Sequence, residues 1–138
     1  MADRFPLKLV TPTGIVFEGH VRQVTAVGPR GEFGVLADHI NFITSLTPGL
    51  LRVTKEDGTL ETWVVSGGLT EVKDGAMTVL ASGAQKPESI DRAQAEDEER
   101  QATHKIEAIS FYDAGYSAAE EALLLARARV QASAPAAR

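Results

Sequence analysis

The chain has 138 residues, a formal net charge of −5 at pH 7 and no cysteine. That length suits one ordinary domain or a small domain with an appendage. The acidic balance argues against a general nucleic-acid binder, which needs a basic surface to neutralise phosphate, and the missing thiols exclude a disulfide framework or a thiolate site.

The N-terminus, Met-Ala-Asp-Arg-Phe-Pro, has no apolar run after its charges and does not read as a secretory signal. No stretch approaches the ~20 apolar residues that span a bilayer, so membrane association is expected only through a partner. Composition then changes near Ala84: eleven of twelve glycines and eleven of twelve valines lie before it, whereas alanine rises from 6 to 14 beyond it. Glycine turns and β-branched residues suit short strands, and alanine suits helix. The reading is an α+β chain: an antiparallel β-sandwich over residues 1–84, then a two-helix antiparallel hairpin over residues 85–138. Gly83-Ala84-Gln85-Lys86-Pro87 reads as the linker.

Within the first part, turn signals recur at short intervals. Thr11-Pro12-Thr13-Gly14 separates residues 7–10 from 15–17. The stretch 28–42 holds Gly28, Pro29, Gly31 and Gly34 within seven residues, which predicts a tight turn with Arg30 and Glu32 at its tip, above Phe33, Val35 and Leu36, which favour burial. It forms either a polar edge for docking or a plain turn between strands. It lacks the Gly-x-x-x-x-Gly-Lys-Ser/Thr pattern of a phosphate cradle. Thr47-Pro48-Gly49, Glu56-Asp57-Gly58 and Lys73-Asp74-Gly75 mark further turns, the last two carrying the Asp-Gly hairpin signal. Runs of four to seven residues at this spacing predict about eight to ten short strands.

In the second part, residues 89–109 predict a helix with Ser89 as N-cap and Glu96 pairing with Arg100 at i,i+4. Ile90, Ala93, Ala102, Ile106 and Ile109 supply its apolar spacing, and Glu96-Asp97-Glu98-Glu99 reads as a solvated face. Residues 111–116 break the helix. Ser117 and Glu120 predict a capping box for a second helix, whose stripe is Ala119, Leu123, Ala126 and Val130. Small side chains let helices approach but bury little area, so the hairpin is expected to be weakly held and able to detach. Arg127 and Arg129 lie near its end, where the dipole favours cations. The tail from Ser133 to Arg138 is expected to be disordered.

No catalytic constellation emerges. His20, His39 and His104 share no metal-ligand spacing. His20 reads as lying between strands and His104 on a helix, both at the surface. Asp38 beside His39 suggests a base with its orienter, but no nucleophile motif accompanies it. The bottom-up reading is a binding or regulatory part without catalysis, metal or cofactor.

The pieces Leu9-Val10-Thr11-Pro12, Gly31-Glu32-Phe33-Gly34-Val35-Leu36-Ala37-Asp38-His39, Thr44-x-Leu46-x-Pro48-Gly49, Ser66-Gly67-Gly68-x-x-Glu71-Val72 and Val79-Leu80-Ala81 are similar, in order and spacing, to the epsilon subunit of bacterial and chloroplast F-type ATP synthases, whose mitochondrial counterpart is called delta. The resemblance covers essentially the whole chain. It implies a β-sandwich of about ten strands, two antiparallel helices and a non-catalytic place in the rotor's central stalk. There the subunit is bound to gamma, resting on the c-ring, at the cytoplasmic face of the membrane. It implies that Arg30, Glu32, Phe33 and His39 face the c-ring and gamma. It also implies that the hairpin can extend into the catalytic head and inhibit ATP hydrolysis, with Arg127 and Arg129 meeting beta (and alpha) subunits. Some relatives bind ATP through Ile/Leu-Asp-x-x-Arg-Ala. The corresponding positions are Ile90, Asp91 and Arg92, but Gln94 stands where the arginine belongs, and Arg92 is displaced by about 200° around the helix. Weak or no ATP binding is therefore expected; a nucleotide-binding sensor is the alternative function.

Overall fold

A computed structural model describes residues 3–133. Nine strands come first: β1 (Phe5–Thr11), β2 (Gly14–Gly28), β3 (Gly31–Leu36), β4 (Phe42–Leu46), β5 (Gly49–Lys55), β6 (Leu60–Val65), β7 (Gly68–Lys73), β8 (Ala76–Ala81) and β9 (Ala84–Gln85). A single 3-10 turn (Pro87–Ser89) then leads to helices α1 (Arg92–Ala108) and α2 (Tyr116–Ser133). The result is a β-sandwich followed by two C-terminal helices, as the glycine, valine and alanine distributions predict.

The turns explain the strand boundaries. Asp74 (φ 51°) and Gly75 (φ 81°) join β7 to β8 with both central residues left-handed, which matches the twist of the flanking strands. Between β5 and β6, the backbone N–H and hydroxyl of Thr59 both donate to Asp57 Oδ1, at 2.9 and 2.6 Å. The hydroxyl bond first, then the amide, hold the Asp57 carboxyl below its ordinary range.

The sheet order is β4-β7-β8-β1-β2-β5-β6-β9, with β3 also on β2. β2 makes the sandwich possible. It runs 15 residues, far beyond the 15–17 run visible in the turn pattern. Its first half pairs with β1, its second half with β3, and the overlap near Val21–Thr25 with β5. The β5 register shifts between Val21 and Gln23; such a bulge bends a strand and lets β2 pass from one layer to the other. His20 therefore lies inside β2, opposite Pro6, rather than between strands. β1 and β8 pair in parallel, whereas the other ladders are antiparallel, because β8 returns to β1 across the sandwich rather than through a hairpin.

The core lies between the layers. Phe5, Leu7 and Leu9 alternate inward along β1 and meet Val21, Val24, Leu51, Val53, Trp63, Met77 and Val79. Alternation at period two puts these side chains on one face.

The segment read as a linker carries β9, whose Ala84 and Gln85 pair with Val65 and Val64. The N-cap of α1 is Asp91, whose Oδ1 accepts from the Gln94 amide at 3.1 Å; Ser89 instead donates to the Lys86 carbonyl. α2 begins at Tyr116, so Ser117 lies within its first turn rather than capping it. Asp113 Oδ1 accepts from the Gly115 amide just before the helix. Ser133 closes α2, and residues 134–138, where the disordered tail was expected, lie outside the described residues.

The stripe Ala119, Leu123 and Ala126 is buried, with Val130 half-buried, as its spacing predicts. On α1, Ala102 and Ile106 are half-buried, as is Ile109, which lies just past the helix end in extended backbone rather than within it, but Ala93 is exposed and Ala95 is buried in its place. With the helix starting at Arg92, the seam runs 95, 99, 102, 106. α2 also has a second face: Ala128, Leu125 and Ala132 pack with Ile90 on Leu50 and Val64 of the sandwich.

Candidate functional site

The β2–β3 connection is a turn of two residues, Pro29 and Arg30, closed by the pairing of Gly28 with Gly31. Gly31 has φ 113°, which a side chain would strain. Of the two charged residues expected at the tip, only Arg30 lies in the turn itself, beside the exposed Pro29. Glu32 lies one step inside β3, opposite Val27, and Phe33 opposite Ala26, because the strand begins sooner than the glycine spacing suggests. Glu32 is paired with Arg52 of β5 at 3.2 Å.

Behind this turn lies a groove of about 360 Å³ lined by residues 28–34, His39, Phe42 and Thr44. Phe33 and Phe42 meet edge to face at 5.8 Å, and His39 tilts onto Phe42 at 5.0 Å. These are favourable aromatic geometries, and they give the groove an aromatic floor with a charged rim at Arg30 and Glu32. The structure thus brings Arg30, Glu32, Phe33 and His39 into one place. His39 Nδ1 stands 2.8 Å from the Ile40 carbonyl, so that nitrogen carries the proton, and the Asp38–His39 orientation considered from sequence is not formed. Asp38 holds a left-handed turn instead (φ 65°).

The candidate arginines of α2 differ from each other. Arg127 is exposed, with Glu99 at 4.0 Å. Arg129 is only 17% exposed; it is paired with Glu98 and donates from Nε to Gln85 Oε1 at 3.2 Å. The acidic run of α1 is therefore not a purely solvated face: Glu98 and Glu99 bridge to α2. Within α1, Arg100 pairs with Asp97 at 3.0 Å, and Glu96 lies 3.9 Å from Arg92, so the expected Glu96–Arg100 pair gives way to neighbours one position nearer and one turn back.

Ile90, Asp91 and Arg92 do not converge on an open site. Ile90 packs on the sandwich, Asp91 caps α1, and Arg92 lies against Glu96 and donates to the Val130 carbonyl at 3.5 Å. Among the described residues no group of three or more His, Cys, Asp or Glu could hold a metal ion.

One feature escaped the sequence reading. Leu69 pairs with Leu80, Leu80 with Val10, and Val10 with Ile15. Directly paired residues share a face, so these four form a row across β7, β8, β1 and β2. Ile43 of β4 extends it diagonally past Ser45, which pairs with Leu69. Ile43, Leu69, Leu80 and Ile15 are 60, 39, 48 and 54% exposed. Contiguous exposed aliphatics mark interaction surfaces more often than scattered ones do. The signal was available in aliphatic residues at outward positions of strands whose inward positions were already apolar, such as Leu80 between Val79 and Ala81.

The family model for the ATP synthase delta/epsilon chain, beta-sandwich domain, matches residues 4–87. The chain belongs to the ATP synthase delta/epsilon family. The ATP synthase epsilon chain of Desulforudis audaxviator (strain MP104C) is 41% identical over 102 residues, 74% of either chain. That of Pelotomaculum thermopropionicum (strain DSM 13744 / JCM 10971 / SI) is 43% identical over 100 residues, 72% of this chain and 74% of that one. Among solved structures, a chain in the Euglena gracilis mitochondrial ATP synthase OSCP/F1/c-ring superposes with a TM-score of 0.82 at 27% identity, covering 96% of this chain and 82% of its own. A chain in the Tetrahymena thermophila mitochondrial ATP synthase central stalk and c-ring shares the fold, with a TM-score of 0.60 at 15% identity over 94% of this chain and 96% of its own. The family model thus covers the sandwich, and the superposition on the Euglena gracilis chain takes in the helices as well. Among the described residues no helix is long and apolar enough to cross a membrane.

Proposed function

We propose that this epsilon-family chain is a non-catalytic rotor subunit in the central stalk of an F-type ATP synthase, coupling c-ring rotation to ATP synthesis. The observation that carries this reading is the superposition of nearly the whole chain on a subunit of an F1/c-ring assembly. In this reading the subunit is peripheral, at the cytoplasmic face of the membrane. The groove at Arg30, Glu32, Phe33 and His39 meets the polar loops of the c-ring, where its charged rim and aromatic floor suit mixed polar and apolar contact. The apolar row from Ile43 to Ile15 packs on gamma, whose burial of exposed aliphatics supplies the association energy. The hairpin, when extended, inhibits hydrolysis through Arg127 and Arg129 against acidic surface on the beta subunits of the head.

A nucleotide sensor is less well supported. Asp91 and Arg92 already serve as helix cap and intrahelical partner, and Gln94 replaces the arginine of the ATP-binding pattern.

The test is association of this chain with an epsilon-depleted ATP synthase head containing gamma, followed by size-exclusion chromatography. One-to-one co-elution is the expected result. A folded chain that elutes apart from the head would overturn the stalk assignment. With the complex formed, charge reversal at Arg127 is expected to raise the hydrolysis rate of the inhibited head; an unchanged rate removes that residue from inhibition.

A further inference from the structure

Arg129 and Arg127 lie two residues apart on α2, yet their surroundings differ in kind. Arg127 is 57% exposed and its nearest carboxylate, on Glu99, is 4.0 Å away, a geometry of the sort that contributes little at a surface. Arg129 is 17% exposed and its guanidinium is divided between two acceptors. Nε donates to Gln85 Oε1 on β9, and Nη1 to Glu98 Oε1 on α1. One side chain of α2 therefore ties both the other helix and the sheet.

We propose that Arg129 is the latch that keeps the hairpin closed on the sandwich. Around it the apolar attachment is small. Among the described residues, Leu50, Val64 and Ala128 are buried in that contact, with Ile90, Leu125 and Ala132 partly covered, and alanines contribute little area. Charge-assisted hydrogen bonds shielded from water are stronger than neutral ones, and the planar guanidinium fork can satisfy two acceptors where an ammonium cannot do so in the same geometry. The latch also makes two states exclusive. While Arg129 holds Gln85 and Glu98 it is not available to an outside carboxylate, and any acidic surface that captures it must first break both bonds and free the hairpin. Arg127 remains accessible in either state. This device belongs to the chain itself, whether or not the stalk reading holds.

Hydrogen exchange on the full chain tests it. In Arg129→Ala, amides of α1 are expected to exchange about tenfold faster, the change expected for losing such a half-buried pair. Amides of β7 and β8 should be unchanged. Arg127→Ala should shift α1 by less than twofold, and Arg129→Lys should recover part of the protection. Unchanged exchange of α1 in Arg129→Ala, or equal acceleration in the sheet, would overturn the latch. Should Arg129→Ala fail to fold, Glu98→Leu and Gln85→Leu remove its acceptors singly; hairpin-specific acceleration supports the latch and its absence overturns it. Arginine-selective modification of the unaltered chain gives a second readout. Arg127 should react at least tenfold faster than Arg129, and equal rates would count against the latch.

Discussion

Gly68 is where a single atom decides whether the sheet can close. Its φ is 142°, and a Cβ built on it would lie 2.0 Å from the Leu80 carbonyl oxygen. That oxygen is backbone in a paired strand, so it cannot swing aside. Gly68→Ala is expected to cost about 3 kcal/mol or more, combining backbone strain with displacement of the β7–β8 ladder, and urea unfolding would measure it. Gly83 is a useful contrast. A Cβ there meets the Ser66 hydroxyl at 2.7 Å, but a hydroxyl can rotate, so Gly83→Ala should cost much less. Ser66-Gly67-Gly68 announces a turn from sequence alone. That Gly68 serves a close approach to β8 is not legible there, because the opposing carbonyl arrives from 12 positions further along the chain. The same limit applies at Arg129. Its position near the end of a helix is visible in the sequence; its partners, 31 and 44 residues away, are brought by the tertiary fold.

Elements were legible where a period or a turn residue announced them. The α2 stripe follows from spacings of four and three, and burial of Ala119, Leu123 and Ala126 bears it out. The second face of α2 was not legible, because alanines at 128 and 132 carry no polar contrast with their neighbours and mark no face. β2 was truncated in the reading for a related reason. Gly19, His20 and Arg22 interrupt its apolar pattern just where it changes partners from β1 to β3 and bulges against β5. Leu123 is the largest buried residue of α2, so Leu123→Ala is expected to cost the hairpin about 2–3 kcal/mol, near the low end for leucine truncation because small neighbours can close in. The measurement is circular dichroism at 222 nm during heating. Helical signal should be lost below the temperature at which the sandwich unfolds, separating two transitions that otherwise run closer together.

At the scale of the molecule, the sandwich has two kinds of surface. Most outward positions are polar, but one layer carries the row Ile43, Leu69, Leu80, Val10 and Ile15 across neighbouring strands. Such a row gains nothing for the isolated chain, since its members are roughly half in water. Its burial against a partner would release that water over a contiguous area. Leu80 is the member to change, because it sits mid-row between Leu69 and Val10. Leu80→Glu leaves the inward residues Val79 and Ala81 untouched and is expected to alter stability by less than about 1 kcal/mol, within the range of outward substitutions on a sheet. Association with the gamma-containing head should nonetheless weaken at least tenfold, because a carboxylate buried at the centre of an apolar contact loses its hydration without a counter-charge. Leu60→Glu provides the control. Leu60 is 63% exposed but begins β6, away from the row, so its substitution should change binding by less than twofold. Equal binding by Leu80→Glu and the unaltered chain would mean that the stalk grips another face. The groove at Arg30 and His39 would then be the surface to test next, through Phe33→Ala, which opens its aromatic floor without changing charge.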